Sequence, residues 1–332
     1  MAGNDYKQWL RYCRLVVAVD GTNTTAIDLS AFRVRFDITQ AVVGKPTTAD
    51  IYVYNVAPST VDRILVPTNA VVKAKRLKVI LEAGYREDHA LIFQGDLWWK
   101  STGRESETDS FMRLIAATGD RAHQYAVVNV SLGKGATQAD VFNAVARSMA
   151  EKGVNASGMP AEVATVSRLP RGKVLYQMSR DAMQGLADTN NFLWGYGTNG
   201  FVAIPKASTY DKRKDVIVVN SGTGMIGRPT MTVNGLKVRC LLNPRLDVGS
   251  LIQIDNRTIQ REGLDTSIEV DIYKRAANTN SMVSADGVYR VISRHFVGDT
   301  RGMEWYADLI CSGVNASQKP ISPSVMNTFP NM

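Results

Sequence analysis

Apolar and polar residues alternate in several short stretches of this chain, and that period of two constrains the fold more than any other feature. Residues 32–38 place Phe32, Val34, Phe36 and Ile38 between Arg33, Arg35 and Asp37. Residues 49–56 put Ile51, Val53 and Asn55 on one side and Tyr52, Tyr54 and Val56 on the other. Residues 77–84 repeat the pattern with Leu77, Val79 and Leu81 before Gly84. Successive side chains of a strand point to opposite faces, so each stretch is predicted to be a strand with one buried face. Residues 10–19, closed by the turn signal Asp20-Gly21, and residues 91–99 and 110–117, around the polar loop 102–109, add three more strands. One short helix is predicted over 58–65, with Ser59 as its N-cap and Pro67 as its stop. Many strands with short turns and a single small helix predict a β-sandwich or small barrel over residues 1–118.

The period then changes. Residues 136–152 place Val141, Ala144, Val145 and Met149 at helical spacing, with Thr137 and Asp140 as a capping pair and Gly153 as a stop. A second helix is predicted near 179–190, capped by Ser179, and a hairpin follows from strand 192–196 through turn 197–200 to strand 201–204. Phe192, Trp194 and Tyr196 share one face of that hairpin and read as core rather than a ligand box. An α/β domain is therefore expected over residues 119–227, with a charged loop at 206–215. Strands return at 235–242, 251–255, 288–297 and 305–311 and define a second β domain over 228–315. The polar stretch 260–286 reads as a long loop or mobile hairpin, and residues 316–332 as an extended tail. The expected class is mainly β (α+β), in the order β, α/β, β.

Charge and chemistry narrow the function. The net charge is +8 and the pI is about 9.3, which permits a nucleic-acid partner without requiring one. The basic clusters Lys73, Lys75, Arg76, Lys78 and Lys212, Arg213, Lys214 read as solvated surface, and no arginine-rich arm or zinc-finger spacing accompanies them. Cys13, Cys240 and Cys311 are odd in number and far apart, the pattern of free buried thiols in a reducing compartment. The first residues, MAGNDYKQWLRYCR, have no apolar signal core, and no run of eighteen apolar residues occurs, so synthesis in the cytoplasm and no membrane insertion are expected. Gly222, Gly224 and Gly227 spell a GxGxxG after the apolar run 216–219, yet Pro229 disfavours the helix that a dinucleotide would need there. These glycines are expected to form a joint between domains. His89, His123 and His295 are isolated, with no second ligand at metal spacing. No GxSxG, HExxH or SxxK stands in the chain, and no paired carboxylates can be nominated as catalytic. No catalytic, cofactor-binding or metal-binding residue is expected, and no cofactor. Trp98 and Trp99 are adjacent in a predicted strand, so one ring is expected in the core and the other at solvent, another domain or another subunit. They are the candidate interface residues.

One family matches at the level of phrases. GATQADV at 135–141 is followed by Gly185-Leu186-Ala187-Asp188 and Phe192-Leu193-Trp194. Then come TGMIGRPT at 223–230, GLKV at 235–238, LLNPRL at 241–246 and Gly249. Near the end stand GVYRV at 287–291, HFVGDTRG at 295–302 and Trp305. In these phrases and their order the chain resembles the Mu-type baseplate hub proteins of contractile-tailed phages, over roughly residues 90 to 312, and before that in strand pattern alone. The resemblance implies a homotrimeric ring whose subunits each carry two tail-tube-like β domains around the α/β insert. Three chains would present a pseudo-sixfold surface to the hexameric tail tube or a tube-initiating protein. The α/β portion and the lower face would meet the trimeric central spike, and other baseplate subunits would surround the ring. DNA would be transiting cargo, and the product would reside in the virion tail baseplate. The same resemblance makes Pro244, Gly249 and Gly298 turn residues and HFVGDTRG a structural turn. A channel for DNA should not be basic, so the excess charge is expected on outer or intersubunit faces. A tail-associated cell-wall hydrolase is the alternative, and a DNA-binding protein, suggested by the pI alone, is a third reading.

Overall fold

The computed structural model describes residues 8–19, 24–64, 76–155, 168–198, 200–206, 216–232, 234–261, 284 and 286–314. The loops expected at 206–215 and 260–286, the basic clusters at 73–75 and 212–214, and the tail at 316–332 fall mostly or wholly outside them.

The alternating stretches do become strands. The first third holds β1 (Arg11–Ala18), β2 (Ala26–Asp28), β3 (Val34–Ala41) and β4 (Thr47–Tyr54), then helix α1 (Pro58–Arg63). After it come β5 (Lys78–Tyr85), β6 (Asp88–Arg104) and β7 (Ser110–Thr118). Along β3 the burial alternates from Val34 to Gln40, with Val34, Phe36 and Ile38 fully enclosed. α1 starts at Pro58 as expected, but its cap lies two residues before the expected one. Ala57 stands at the cap position with no side-chain bond, and Pro58 at the first turn supplies the fixed φ instead, so Ser59 is not the N-cap.

The middle third folds as a small α/β unit with its own core. It contains α2 (Asp120–Tyr125), β8 (Val127–Leu132), α3 (Gln138–Ala150), β9 (Lys173–Met178), α4 (Ser179–Thr189) and the hairpin β10 (Phe192–Gly197) and β11 (Gly200–Pro205). Thr137 and Asp140 form the expected reciprocal cap of α3, with Asp140 N bound to Thr137 Oγ1 and Thr137 N to Asp140 Oδ2. Ser179 does not cap α4. It is buried at the first helical position and shares a 2.7 Å hydrogen bond with Ser148 of α3. Phe142, Met183, Leu186, Phe192, Trp194 and Tyr196 fill the core of this unit, so the aromatic face of the hairpin is core as read from the sequence.

The last third supplies β12 (Val216–Val218), β13 (Met225–Thr232), β14 (Gly235–Leu241), β15 (Leu251–Gln253), β16 (Gln260–Arg261), β17 (Val288–Asp299) and β18 (Trp305–Gly313). The glycines at 222–227 form no joint. Asn220 caps a single 3-10 turn at Ser221–Thr223, accepting from Gly222 N and Thr223 N at 2.8 and 3.0 Å. Gly224 takes φ +97°, and β13 starts at once, so no helix receives a phosphate there. Gly298 is no turn residue either. It lies inside β17, where any Cβ would collide with the Phe36 and Trp305 rings.

The two β portions are not separate sheets. One fourteen-stranded sheet runs β16-β13-β14-β18-β17-β3-β4-β7-β6-β5-β1-β2, with β12 and β15 attached through β17. The join is the antiparallel pairing of β17 with β3 across seven residue pairs, from Ser293 opposite Ala41 to Asp299 opposite Arg35. One hydrophobic cluster spans both portions, and the edge-to-face contact of Phe36 with Trp305 crosses the join at 5.5 Å.

The α/β unit sits on the join through its hairpin. Gly195 lies so close to β3 that a Cβ would come within 2.7 Å of the Ala41 carbonyl oxygen. Gly44 N donates to Trp194 O, and Thr47 Oγ1 donates to Tyr196 O. Gly195→Ala is therefore expected to destabilise the protein by about 1–3 kcal/mol through overpacking against backbone. Gly185→Ala, on an exposed face of α4 with open space around it, should stabilise it by about 0.5–1 kcal/mol. Urea unfolding of the two variants checks the contrast.

Candidate functional site

The sheet buries one face in the shared core, while the other is covered in part by the hairpin of the α/β unit and is open beside it. On the open face a concavity of about 540 Å³ is lined by residues of β3, β4, β7 and β17, among them Asp37, Asp50, Tyr52, Arg113 and His295. Its charged side chains are paired across strands. Arg113 on β7 makes a two-pronged bond to Asp50 on β4 at 2.8 and 2.6 Å, with its guanidinium 5.3 Å from the Tyr52 ring. Arg239 on β14 repeats the arrangement with Asp308 on β18 at 2.7 and 2.8 Å, 4.5 Å from the Tyr306 ring. His295 Nε2 on β17 lies 2.8 Å from Asp37 Oδ1 on β3, across the join. Arg35 reaches Glu304 at 3.8 Å. Such forks satisfy guanidinium donors geometrically as well as electrostatically.

Trp98 and Trp99 depart from the simple alternation. Opposite β7 the register steps from Leu97–Ala116 to Trp99–Ile115, so Trp98 is the extra residue of a β-bulge. The bulge removes the requirement that adjacent rings oppose each other, and neither ring enters the core. Trp98 is 45% exposed and Trp99 60%. Trp98 is tethered, its Nε1 donating to Asp120 Oδ2 at 2.8 Å, and Arg76 binds the same carboxylate oxygen at 2.7 Å. Trp99 lies opposite Ile115 of β7 and is the more exposed of the two. Sequence reading missed a second apolar patch. Val174 and Tyr176 on β9 and Val127 on β8 project from the α/β unit, at 73%, 78% and 48% exposure. Their alternation with buried Leu175 and Val128 was visible in the sequence, but which neighbours cover the other side was not.

The remaining residues singled out from sequence have structural surroundings. His89 lies in β6 rather than a loop and stacks on Tyr12 at 3.8 Å, while His123 meets Tyr196 edge-on. Among the described residues no three His, Cys, Asp or Glu groups come together as a metal cluster. Nor is any helix among them long and apolar enough to cross a membrane. All three cysteines are free and lie in strands, and burial pushes Cys13 and Cys240 up to about 12 and Cys311 well above the usual thiol range. In the HFVGDTRG phrase, Asp299 closes β17. Its carboxylate accepts from Arg33 Nε and Nη2 and from the backbone N–H of Arg301 and Gly302.

This architecture has known counterparts. The family described as baseplate hub gp41 matches residues 13–258. The chain belongs to this family. The match includes the N-terminal third, where the phrase-level resemblance rested on strand pattern alone. No curated protein matches the chain. The 43 kDa tail protein of prophage MuSo2 from Shewanella oneidensis shares the fold at 8% identity and a TM-score of 0.53, over 92% of this chain and 97% of that one. The tail protein from Neisseria meningitidis MC58 does so at 9% identity and a TM-score of 0.50, over 90% and 96%. A chain of the Francisella PdpA–VgrG complex aligns at 6% identity and a TM-score of 0.50, over 94% of this chain and 59% of that one. Baseplate hub membership gives the chain a structural role in a phage tail baseplate, which is a virion location.

The Asp299 turn carries a pH signature. Burial alone would raise this carboxyl, but the Arg33 fork and the two amides outweigh it and hold it below the usual carboxylate range. A carboxyl depressed in the folded state contributes stability that is full above its unfolded value, about pH 4, and is lost as pH falls through the folded value. Asp299→Asn is expected to lower stability at pH 7 by about 2 kcal/mol and to flatten the decline below pH 4. Denaturant melts from about pH 3 to 7 check both parts.

Proposed function

We propose that three copies of this chain close a ring that joins the hexameric tail tube to the trimeric central spike and frames the channel through which the genome leaves. The observation that carries this reading is a repeat hidden in the sheet. In chain order, β3, β4, β6 and β7 are the first to fourth strands of one set, and β13, β14, β17 and β18 of another. In space both sets run first, second, fourth, third: β3-β4-β7-β6 and β13-β14-β18-β17. The third strand of each set is long and carries a bulge against its hairpin partner, at Trp98 in β6 and at Ile292 in β17. The first half of each also pairs with a further strand, β5 for β6 and β15 for β17.

Within the chain, the second half of β17 pairs with β3, the first strand of the other set. The second half of β6, residues 99–104, has β7 on one edge and no strand on the other among the described residues. At the far end of the sheet, β13 has β14 on one edge and meets β16 only at Thr230 and Met231. The junction made inside the chain can therefore be repeated between chains, β6 of one against β13 of the next. Head-to-tail addition of this kind either closes into a ring or runs on as a filament. Closure after three chains yields six β sets, the number a sixfold tube presents, while keeping the threefold symmetry of a spike. Trp99 and Ile226 lie on the open face at the two ends, both exposed, as apolar residues awaiting a neighbour. The exposed Val127, Val174 and Tyr176 support a contact of the α/β unit with the spike or another baseplate subunit.

Light scattering over a concentration series, with negative-stain images, tests the reading. A trimer seen as a ring with a central hole is expected, and a stable dimer without a ring overturns it. Trp99→Asp combined with Ile226→Asp should weaken trimerisation at least about tenfold, because both side chains become buried only on association. The melting temperature should stay within a few degrees of wild type. Met303→Asp, at a 94% exposed position away from both edges, should leave the ring intact.

A further inference from the structure

The open face of the sheet carries more arginine than a channel for DNA would tolerate if the charges were free. A protein binds the DNA backbone in proportion to the phosphates its lysines and arginines can neutralise, and the chain as a whole is at +8. On this face, however, the arginines of β3, β7 and β14 are each held by an acid of a neighbouring strand or turn. Arg113 is forked to Asp50, Arg239 to Asp308, and Arg35 reaches Glu304. His295 is matched by Asp37. Lys237 on β14 has no such acid among the described residues.

The two forks are built alike. In each β set, the two central strands hold one arginine, and the strand facing it holds an aspartate and a tyrosine two residues apart. The tyrosine ring lies beside the guanidinium in both, at 5.3 and 4.5 Å. A two-pronged bond to a carboxylate occupies the same donors that would take a phosphate, and the ring covers a face of the cation. We infer that this face lines the channel and is kept from adhering to the phosphate backbone of passing DNA by its paired arginines. The inference rests on the ring reading above, since the ring is what turns the face inward. It also gives the positive excess a place on the remaining surfaces.

The test uses the assembled full-length protein and a labelled duplex of about 30 base pairs at about 50 mM salt, followed by anisotropy. Asp50→Asn with Asp308→Asn is isosteric, keeps an acceptor oxygen for each guanidinium and removes the two neutralising charges. Wild type is expected to bind weakly. The double variant should bind at least about tenfold more tightly, and the gain should vanish as salt rises. Adding Arg113→Gln and Arg239→Gln should abolish the gain. A folded double variant with no gain overturns the inference, as does a wild type that already binds as tightly as the variant. If the double variant loses its fold, the swapped pair Asp50→Arg with Arg113→Asp serves instead: no binding supports the inference and tight binding overturns it. Failure of the ring is read separately, from the mass and images of the wild type. A ring without the binding gain sinks only the channel lining, whereas a binding gain without a ring sinks the assembly and the channel with it and leaves only the charge neutralisation by the paired acids.

Discussion

The pairing of residues 293–299 with residues 35–41 is the constraint on which the other parts of the molecule depend. It joins strands some 250 positions apart in sequence and makes one sheet of what would otherwise be two. Because β-sheet side chains alternate, this pairing also aligns the faces of both halves: Phe36 and Ile38 on one side continue into Phe296 and the shared core. The opposite side, with Asp37, Val297 and His295, becomes one continuous face that holds the concavity. A slip of one residue would turn the apolar set outward, so the core itself holds the register. Gly298 takes part in this, since only a residue without Cβ lets the Phe36 and Trp305 rings close over it.

The α/β unit is set by the same join. Its hairpin lies against β3 at Gly195 and Gly44, and the side chain of Arg294 on β17 is fully enclosed where the hairpin turn, β6 and the loop before β15 meet. Arg294 donates to Ile92 O and Thr198 Oγ1 at 3.1 and 2.6 Å and pairs with Asp247 at 3.4 Å. Burial pushes this guanidinium below its ordinary range and the Asp247 charge opposes that shift. A buried cation is costly unless partners surround it, and here the partners come from three separate segments of chain. The orientation of the insert is thus tied to the sheet by a polar contact as well as by packing.

How much of this was legible in the sequence follows from how local each determinant is. Strand alternation at residues 34–38 and the Thr137–Asp140 cap are local, and both stand in the structure as read. Ser59 and Ser179 had the right residue type for a cap, but Pro58 and the Ser148 contact decided the two cases, the second through a partner 31 residues away. The Trp98 bulge is a property of a pair of strands, and period-two reasoning on one strand cannot see it. The join of β17 to β3 lies still further out of reach, because nothing in either segment names the other. The site shares this difficulty. Asp50, Arg113, Arg239 and Asp308 are far apart in sequence, and they become a site only when β4 meets β7 and β14 meets β18.

The absence of a short-period repeat in the sequence and the presence of one in the topology have a common physical basis. Two β sets that must meet different neighbours need the same strand order and the same curvature, but not the same side chains. The third strand of each set shows this division. Its bulge is kept, because a bulge bends the strand and lets its two halves pair with different partners. The bulged residue is not kept. Ile292 packs with Ile204 and Val248 under the hairpin of the α/β unit, while Trp98 reaches Asp120 on α2. The backbone device that allows sheets to be joined edge to edge is therefore common to both sets, and the side chain placed on it adapts each set to its own surroundings. A subunit built this way makes one junction within itself, and among the described residues the corresponding edge of β6 carries no strand.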